Sequence, residues 1–198
     1  MSKSEAFDTK GVRFTHSFAD ARVVIFASEW HRDIIDLLVE DAKATLREHG
    51  VEHVAVIDVP GSYELPQAAS FYLRHPNAEY HGHLEQFGQH AGDIDLRQVN
   101  GSSINGAICF GCVVQGDTPH FTFICNAVAN QLEALACQTN IPIMFGVLTT
   151  NTVAQAQARA DGTHSRKGQE VAIALLKMLD MKWSIPQELE SLYSPDGK

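Results

Sequence analysis

His120 lies in the stretch Ile104 to Asn126, between a continuous apolar run and a segment with helical spacing. The run, rich in Ile, Cys, Val and Phe, suits a strand buried on both faces of a parallel sheet. Apolar residues then recur at Phe121, Ile124, Val128, Leu132 and Leu135, the spacing of one helical face. Thr118 is the expected N-cap and Pro119 the expected first helical residue, which puts Gly116 in a tight strand-to-helix turn. The unbonded backbone N–H groups of such a helix start, and the helix dipole, favour an anion such as phosphate. An imidazole beside them, at the carboxyl end of a strand, suits proton transfer on a small phosphorylated molecule. Turns of this kind occur throughout α/β proteins and most bind nothing, so other segments must add to it.

Three more positions fall at element ends. Trp30 and His31 follow the apolar segment Arg22 to Ser28 and precede a helix carrying Ile34, Ile35, Leu38, Val39, Ala42 and Leu46 before Gly50. Trp30 either staples that helix or offers a stacking platform for a flat ring. Ser62, Tyr63 and Glu64 follow the strand Val54 to Val59 and the turn Pro60-Gly61, with Ser62 as the expected N-cap of a helix from Tyr63 to Arg74. Glu64 there either complements the helix dipole or accepts hydrogen bonds from a polyol. Arg159 and Lys167 flank the polar loop ADGTHSR, where a lone cation is ordinary helix-end decoration.

These positions need a frame, and the chain is long enough for one. Its 198 residues, 44% of them hydrophobic, predict one α/β domain with a substantial core. Its organisation reads as a lead-in over 1–20 with a short apolar patch at Val12 to Phe14 that could form an edge strand, an inserted glycine-rich loop over 76–105, and a tail over 183–198 packed or frayed outside the core. Between them a last buried strand is expected from Ile141 to Leu148, then helices near Thr152 to Ala160 and Lys167 to Leu179. A net charge of −9 argues against a nucleic-acid surface. No run approaches the roughly 20 apolar residues of a membrane span and the start has no signal-like apolar segment, so a soluble cytoplasmic protein is expected. Cys109 and Cys112 form a C-x-x-C, but three residues apart on a strand they point to opposite faces and cannot share a metal. With Cys125 and Cys137, four buried reduced thiols are expected. His75, His81, His83 and His90 lie in or beside the inserted loop without a ligand pattern, so no metal site is expected.

Four segments in register, VPGSYELP (Val59 to Pro66), GDTPHF (Gly116 to Phe121), FGVLTTNTVAQAQARA (Phe145 to Ala160) and KGQEVA (Lys167 to Ala172), resemble the lumazine synthase family. The resemblance runs from Arg22 to Leu179 apart from the inserted loop. It implies a flavodoxin-like, three-layer αβα sandwich around a four-stranded parallel sheet, with an N-terminal segment that adds a strand to a neighbouring subunit. It implies condensation of 5-amino-6-(D-ribitylamino)uracil with 3,4-dihydroxy-2-butanone 4-phosphate, releasing phosphate and water in riboflavin biosynthesis, without a cofactor. By position, Trp30 would stack on the pyrimidine and Glu64, in the Ser62-Tyr63-Glu64 turn, would accept from ribityl hydroxyls. The backbone of Cys112, Val113 and Val114 would hold the pyrimidine edge, with Phe145 and Lys167 against the ring. Asp117, Thr118 and Arg159 would bind phosphate, and His120 would transfer protons. The resemblance implies a homopentamer with the pocket shared between neighbours, and leaves open a shell of twelve pentamers. His31 stands where many members have Asn, Gln115 where many have a basic residue, and the inserted loop is longer than the common bacterial form. A non-catalytic lumazine- or flavin-binding homologue is the alternative.

Overall fold

The computed structural model describes residue 9, residues 11–74 and residues 104–193. The inserted loop, apart from Ile104 and Asn105, lies outside the described residues together with its histidines. So do most of residues 1–10 and residues 194–198.

Among the described residues, four strands and five α-helices follow one another, alternating up to the final helix pair. They are β1 (Arg22–Ser28), α1 (Arg32–Glu48), β2 (His53–Val59), α2 (Leu65–Leu73), β3 (Gly106–Val114), α3 (His120–Thr139), β4 (Ile143–Thr150), α4 (Val153–Ala160) and α5 (Lys167–Tyr193). All strand pairs are parallel, in the order β2-β1-β3-β4. The chain steps from β1 outward to β2, then crosses back to β3 on the other side of β1. The carboxyl ends of β1 and β3 therefore flank the point where strand order reverses, the place where open α/β sheets form a crevice. This is the flavodoxin-like α/β fold.

Alternation along each strand divides the core in two. Val23, Ile25 and Ala27 of β1, with Ile108, Phe110 and Cys112 of β3, face α1, α4 and α5. Val24 and Phe26, with Ala107, Cys109 and Val113, face α2 and α3. The cysteines of the C-x-x-C thus sit in different cores. Burial pushes the Cys109 thiol well above its ordinary value, and burial plus the charge of Asp33 pushes Cys112 up to about 11. Both thiols are thus held in the protonated form, which makes them poor nucleophiles and poor metal ligands at neutral pH. The expectation of four buried thiols is corrected at α3, where Cys125 is half-buried and Cys137 exposed.

The first βα unit follows its pattern closely. The apolar stripe of α1 seats Ile34, Ile35, Leu38, Val39, Ala42 and Leu46 against the sheet. Truncating one such residue to Ala typically costs about 2–5 kcal/mol. The helix stops at Gly50, whose φ of 86° lets its N–H reach the Arg47 carbonyl while Val51 N–H reaches Leu46. Longer-range features depart from expectation. Helix α5 continues past Leu179, through Pro186, to Tyr193. The tail expected to be packed or frayed outside the core is therefore mostly helix, and Trp183 packs against the core. Tertiary packing carries it on: the Trp183 ring lies 5.5 Å from Phe18 and 6.0 Å from His16. The patch Val12 to Phe14 makes no strand; Phe14 packs edge-on to Phe18 and His49. Asp180 on α5 holds this segment, accepting from the backbone N–H of Thr15 and His16 and pairing with His16 Nδ1 at 2.8 Å. Burial works against its charge, but the His16 and Thr15 hydrogen bonds outweigh that and keep its carboxyl below the ordinary value.

Candidate functional site

Trp30 is placed by a turn held on both sides. Glu29 N–H donates to Val59 O at 2.9 Å, extending the β1–β2 ladder, and the next residues turn sharply into α1. His31 takes φ 56° and ψ 47°, a left-handed conformation in which its carbonyl accepts from the amides of Ile34 and Ile35. A non-glycine residue there costs on the order of 1 kcal/mol. The turn throws the indole outward. At 70% exposure it does not staple α1, which removes that reading of Trp30.

The indole meets the turn after β2. A Cβ built on Gly61 would stand 3.5 Å from Trp30 Cδ1 and 2.9 Å from Glu64 Oε2, so the ring edge and the carboxylate converge on the one residue with no side chain. Residues Ser62–Glu64 form a 3-10 turn, and α2 begins only at Leu65. This corrects the expected helix from Tyr63 with Ser62 as its cap. Pro66 has no N–H to give the Ser62 carbonyl, so an α-helix cannot start that early; Leu65 N–H reaches the Ser62 carbonyl in the tighter pattern instead. The Ser62 side chain turns inward against β3, 2.5 Å from where a Cβ on Gly111 would lie. Its hydroxyl and that of Ser28 are buried without a hydrogen-bond partner among the described residues. Tyr63 is exposed.

After β3 the chain continues the ladder through Gln115 N–H to Thr150 O at 2.8 Å, then turns through exposed Gly116, Asp117 and Thr118. Pro119, with ψ 2°, is the N-cap and His120 the first residue of α3, one position later than expected. No side chain caps this helix, and Phe123 N–H is the amide that reaches the Pro119 carbonyl. The amides of the first turn are thus left for an outside acceptor, beside an exposed imidazole. Cys112 and Val113 bury their side chains and Val114 half-buries its own, so that strand end can offer chiefly backbone groups.

The remaining candidates stand elsewhere. Phe145 is exposed on the edge strand β4, paired with Cys109 and five residues short of Thr150, about 17 Å along the strand. Arg159 is the next-to-last residue of α4, its Nη1 donating to Gln155 O at 3.0 Å. Lys167 opens α5 with its Nζ 2.5 Å from Glu170 Oε2. Helices α4 and α5 pack with α1, whereas α3 packs with α2 across the sheet. One chain therefore gathers Trp30, Ser62, Glu64 and His120 around the β1–β3 crevice, but does not bring Phe145 to it. Two features had no signal in the sequence pattern. Arg32 bridges to Asp58, and Asp41 on α1 accepts Gln169 N–H at 2.8 Å and pairs with Arg166, fixing the start of α5. No group of three or more His, Cys, Asp or Glu poised for a metal occurs among the described residues. None of the described helices is long and apolar enough to cross a membrane.

Comparison with known proteins gives the family. The family model of 6,7-dimethyl-8-ribityllumazine synthase matches residues 20–86 and 90–182. Relatives bearing that name include one from Bacteroides fragilis, 35% identical over 163 residues, covering 81% of this chain and 96% of the relative. Another, from Xanthomonas campestris, is 34% identical over 168 residues, 84% of this chain and 92% of the relative. A third, from Cytophaga hutchinsonii, is 37% identical over 157 residues, 78% and 82% respectively.

Proposed function

The chain belongs to the 6,7-dimethyl-8-ribityllumazine synthase family and condenses 5-amino-6-(D-ribitylamino)uracil with 3,4-dihydroxy-2-butanone 4-phosphate, and we propose that it does so in the crevice at the carboxyl ends of β1, β2 and β3. The observation that carries this reading is the convergence of Trp30 and Glu64 on Gly61, on a sheet whose next strand leads into the uncapped start of α3. Trp30 stacks on the pyrimidine, Glu64 accepts from the ribityl chain, and Ser62 and Tyr63 shape the turn that presents it. The backbone of Cys112, Val113 and Val114 pairs with the pyrimidine edge. The amides after Asp117 and Thr118 take the phosphate, with the Asp117 carboxylate turned away from it. His120 moves protons during imine formation, phosphate loss and ring closure.

Phe145, Arg159 and Lys167 reach the crevice of an adjacent copy. A single chain leaves Phe145 uncovered on an edge strand and puts the two cations in the α1 layer. In a ring of five each chain would supply these three residues to its neighbour, and the N-terminal segment would add a strand at one of the two open sheet edges. Arg159 would exchange its bond to Gln155 O for two parallel bonds to phosphate, which Lys could not make. No observation favours the non-catalytic alternative.

Purified protein mixed with both substrates should develop lumazine fluorescence. His120→Ala should lower turnover about 10²- to 10⁴-fold while leaving substrate binding nearly intact. A loss well under tenfold would assign the proton transfers to another group.

A further inference from the structure

Arg32 is the first residue of α1, two positions after Trp30. Its Nη1 donates to Asp58 Oδ1 at 2.5 Å and its Nε to Asp36 Oδ1 at 2.6 Å. Asp58 is the next-to-last residue of β2, opposite Ala27 of β1 and two positions before the Pro60-Gly61 turn. One planar guanidinium therefore ties the end of β2 to the start of α1, a two-carboxylate arrangement an ammonium cannot copy. The side chains of Arg32 and Asp58 are 32% and 21% exposed, so the pair is only partly open to water.

We propose that the Arg32–Asp58 pair is a strap that holds the Trp30 turn in place and so sets the enzyme's affinity for the ring-bearing substrate. This rests on Trp30 being the ring's stacking partner. Two cross-links bracket the turn, Glu29 N–H to Val59 O before the indole and Arg32 to Asp58 after it. Between them His31 is held left-handed, a conformation it leaves if one side is released. Relaxation there swings the indole off Gly61, beside which its Cδ1 now stands. Neither Arg32 nor Asp58 touches substrate; both are positioning residues.

The test uses the full-length assembled enzyme carrying Trp183→Phe, which leaves Trp30 as the only indole of the chain's two tryptophans. In that background Asp58→Asn should raise KM for the ribitylaminouracil roughly three- to tenfold, with kcat and KM for the butanone phosphate changed less than about twofold. Trp30 fluorescence anisotropy should fall in parallel. Arg32→Lys, which keeps one bond of the two, should fall between Asp58→Asn and the parent in both readouts. Trp30→Ala run alongside separates the two claims. If it raises the same KM while the strap variants leave KM and anisotropy unchanged, the strap is wrong. If Trp30→Ala leaves that KM unchanged, the stacking role is wrong, and the anisotropy of the strap variants alone then decides whether the pair holds the turn. A uniform loss of kcat and both KM values in Arg32→Lys, without an anisotropy change, would reduce the pair to general stability and also overturn the proposal.

Discussion

The helices on the two sides of the sheet are finished to different degrees. Helix α1 buries eight of its 17 residues, while α3 buries only Val128, Leu132 and Leu135 of its 20. On the α1 side, Gly168 of α5 lies so close to α1 that an added Cβ would stand 2.4 Å from the Leu38 carbonyl oxygen. Asp41 of the same helix fixes the α5 start through Arg166 and the Gln169 amide. On the α3 side, Phe71, Phe123 and Phe145 are exposed. The α1 side exposes aliphatic and Met side chains instead, among them Leu37, Val153, Met178, Met181 and Ile185. The α3 side presents large aromatic surface, of a kind that a partner ordinarily covers, and it carries His120 at the start of α3.

Placing a charge on each side breaks or sharpens this comparison. If copies assemble into the proposed ring, Phe123→Asp on α3 should abolish it, shifting sedimentation to a monomer and removing activity while far-UV circular dichroism stays native. Leu37→Asp, at an exposed apolar position of α1, should change neither assembly nor turnover. Equal effects from both would mean that the layers do not differ in the way their burial suggests.

Gly168→Ala should act first on the packing of α5 against α1. Its methyl forces α5 away from the α1 backbone and should cost about 1–3 kcal/mol, read as a lower Tm at fixed protein concentration, with the oligomer preserved. Loss of assembly without loss of stability would contradict it. A smaller effect is expected at Asp180, whose folded pKa lies below its unfolded value. Its contribution is therefore full above the ordinary carboxylate pKa of about 3.9, and is lost as pH falls through the lower folded value. Asp180→Asn should lower Tm modestly at pH 7 and flatten the acid limb of Tm against pH. An unchanged acid limb would remove Asp180 as the anchor of residues 15 and 16.

The parts legible in the sequence are those fixed by local pattern. The β1 boundaries, the α1 stripe ending at Gly50 and the span of α4 follow from hydrophobic period and stop signals, with Thr152, expected as the first helical residue, serving as the N-cap. Where the reading of Ser62 as a cap failed, Pro66 was the overlooked constraint, four residues on and without the N–H that the helix needed. The extension of α5 to Tyr193 depends on Trp183 meeting Phe18, a contact of distant residues that no local window contains. Arg32–Asp58 and Asp41–Arg166 were illegible for the same reason, being 26 and 125 residues apart. The candidate site divides likewise: motif spacing placed Trp30, Glu64 and His120 at strand ends, but the convergence of Trp30 and Glu64 on Gly61 needed the folded turn.

Mixing two inactive variants tests most directly whether the α3 side is completed by a neighbour. His120→Ala and Arg159→Ala, combined in equal amounts under conditions that let subunits exchange, place an intact His120 against an intact Arg159 at about a quarter of the interfaces of a cyclic ring. Activity should rise from near zero toward about a quarter of wild type. No recovery, with subunit exchange verified by mass spectrometry, would put both residues in one chain's pocket and contradict a site shared between copies.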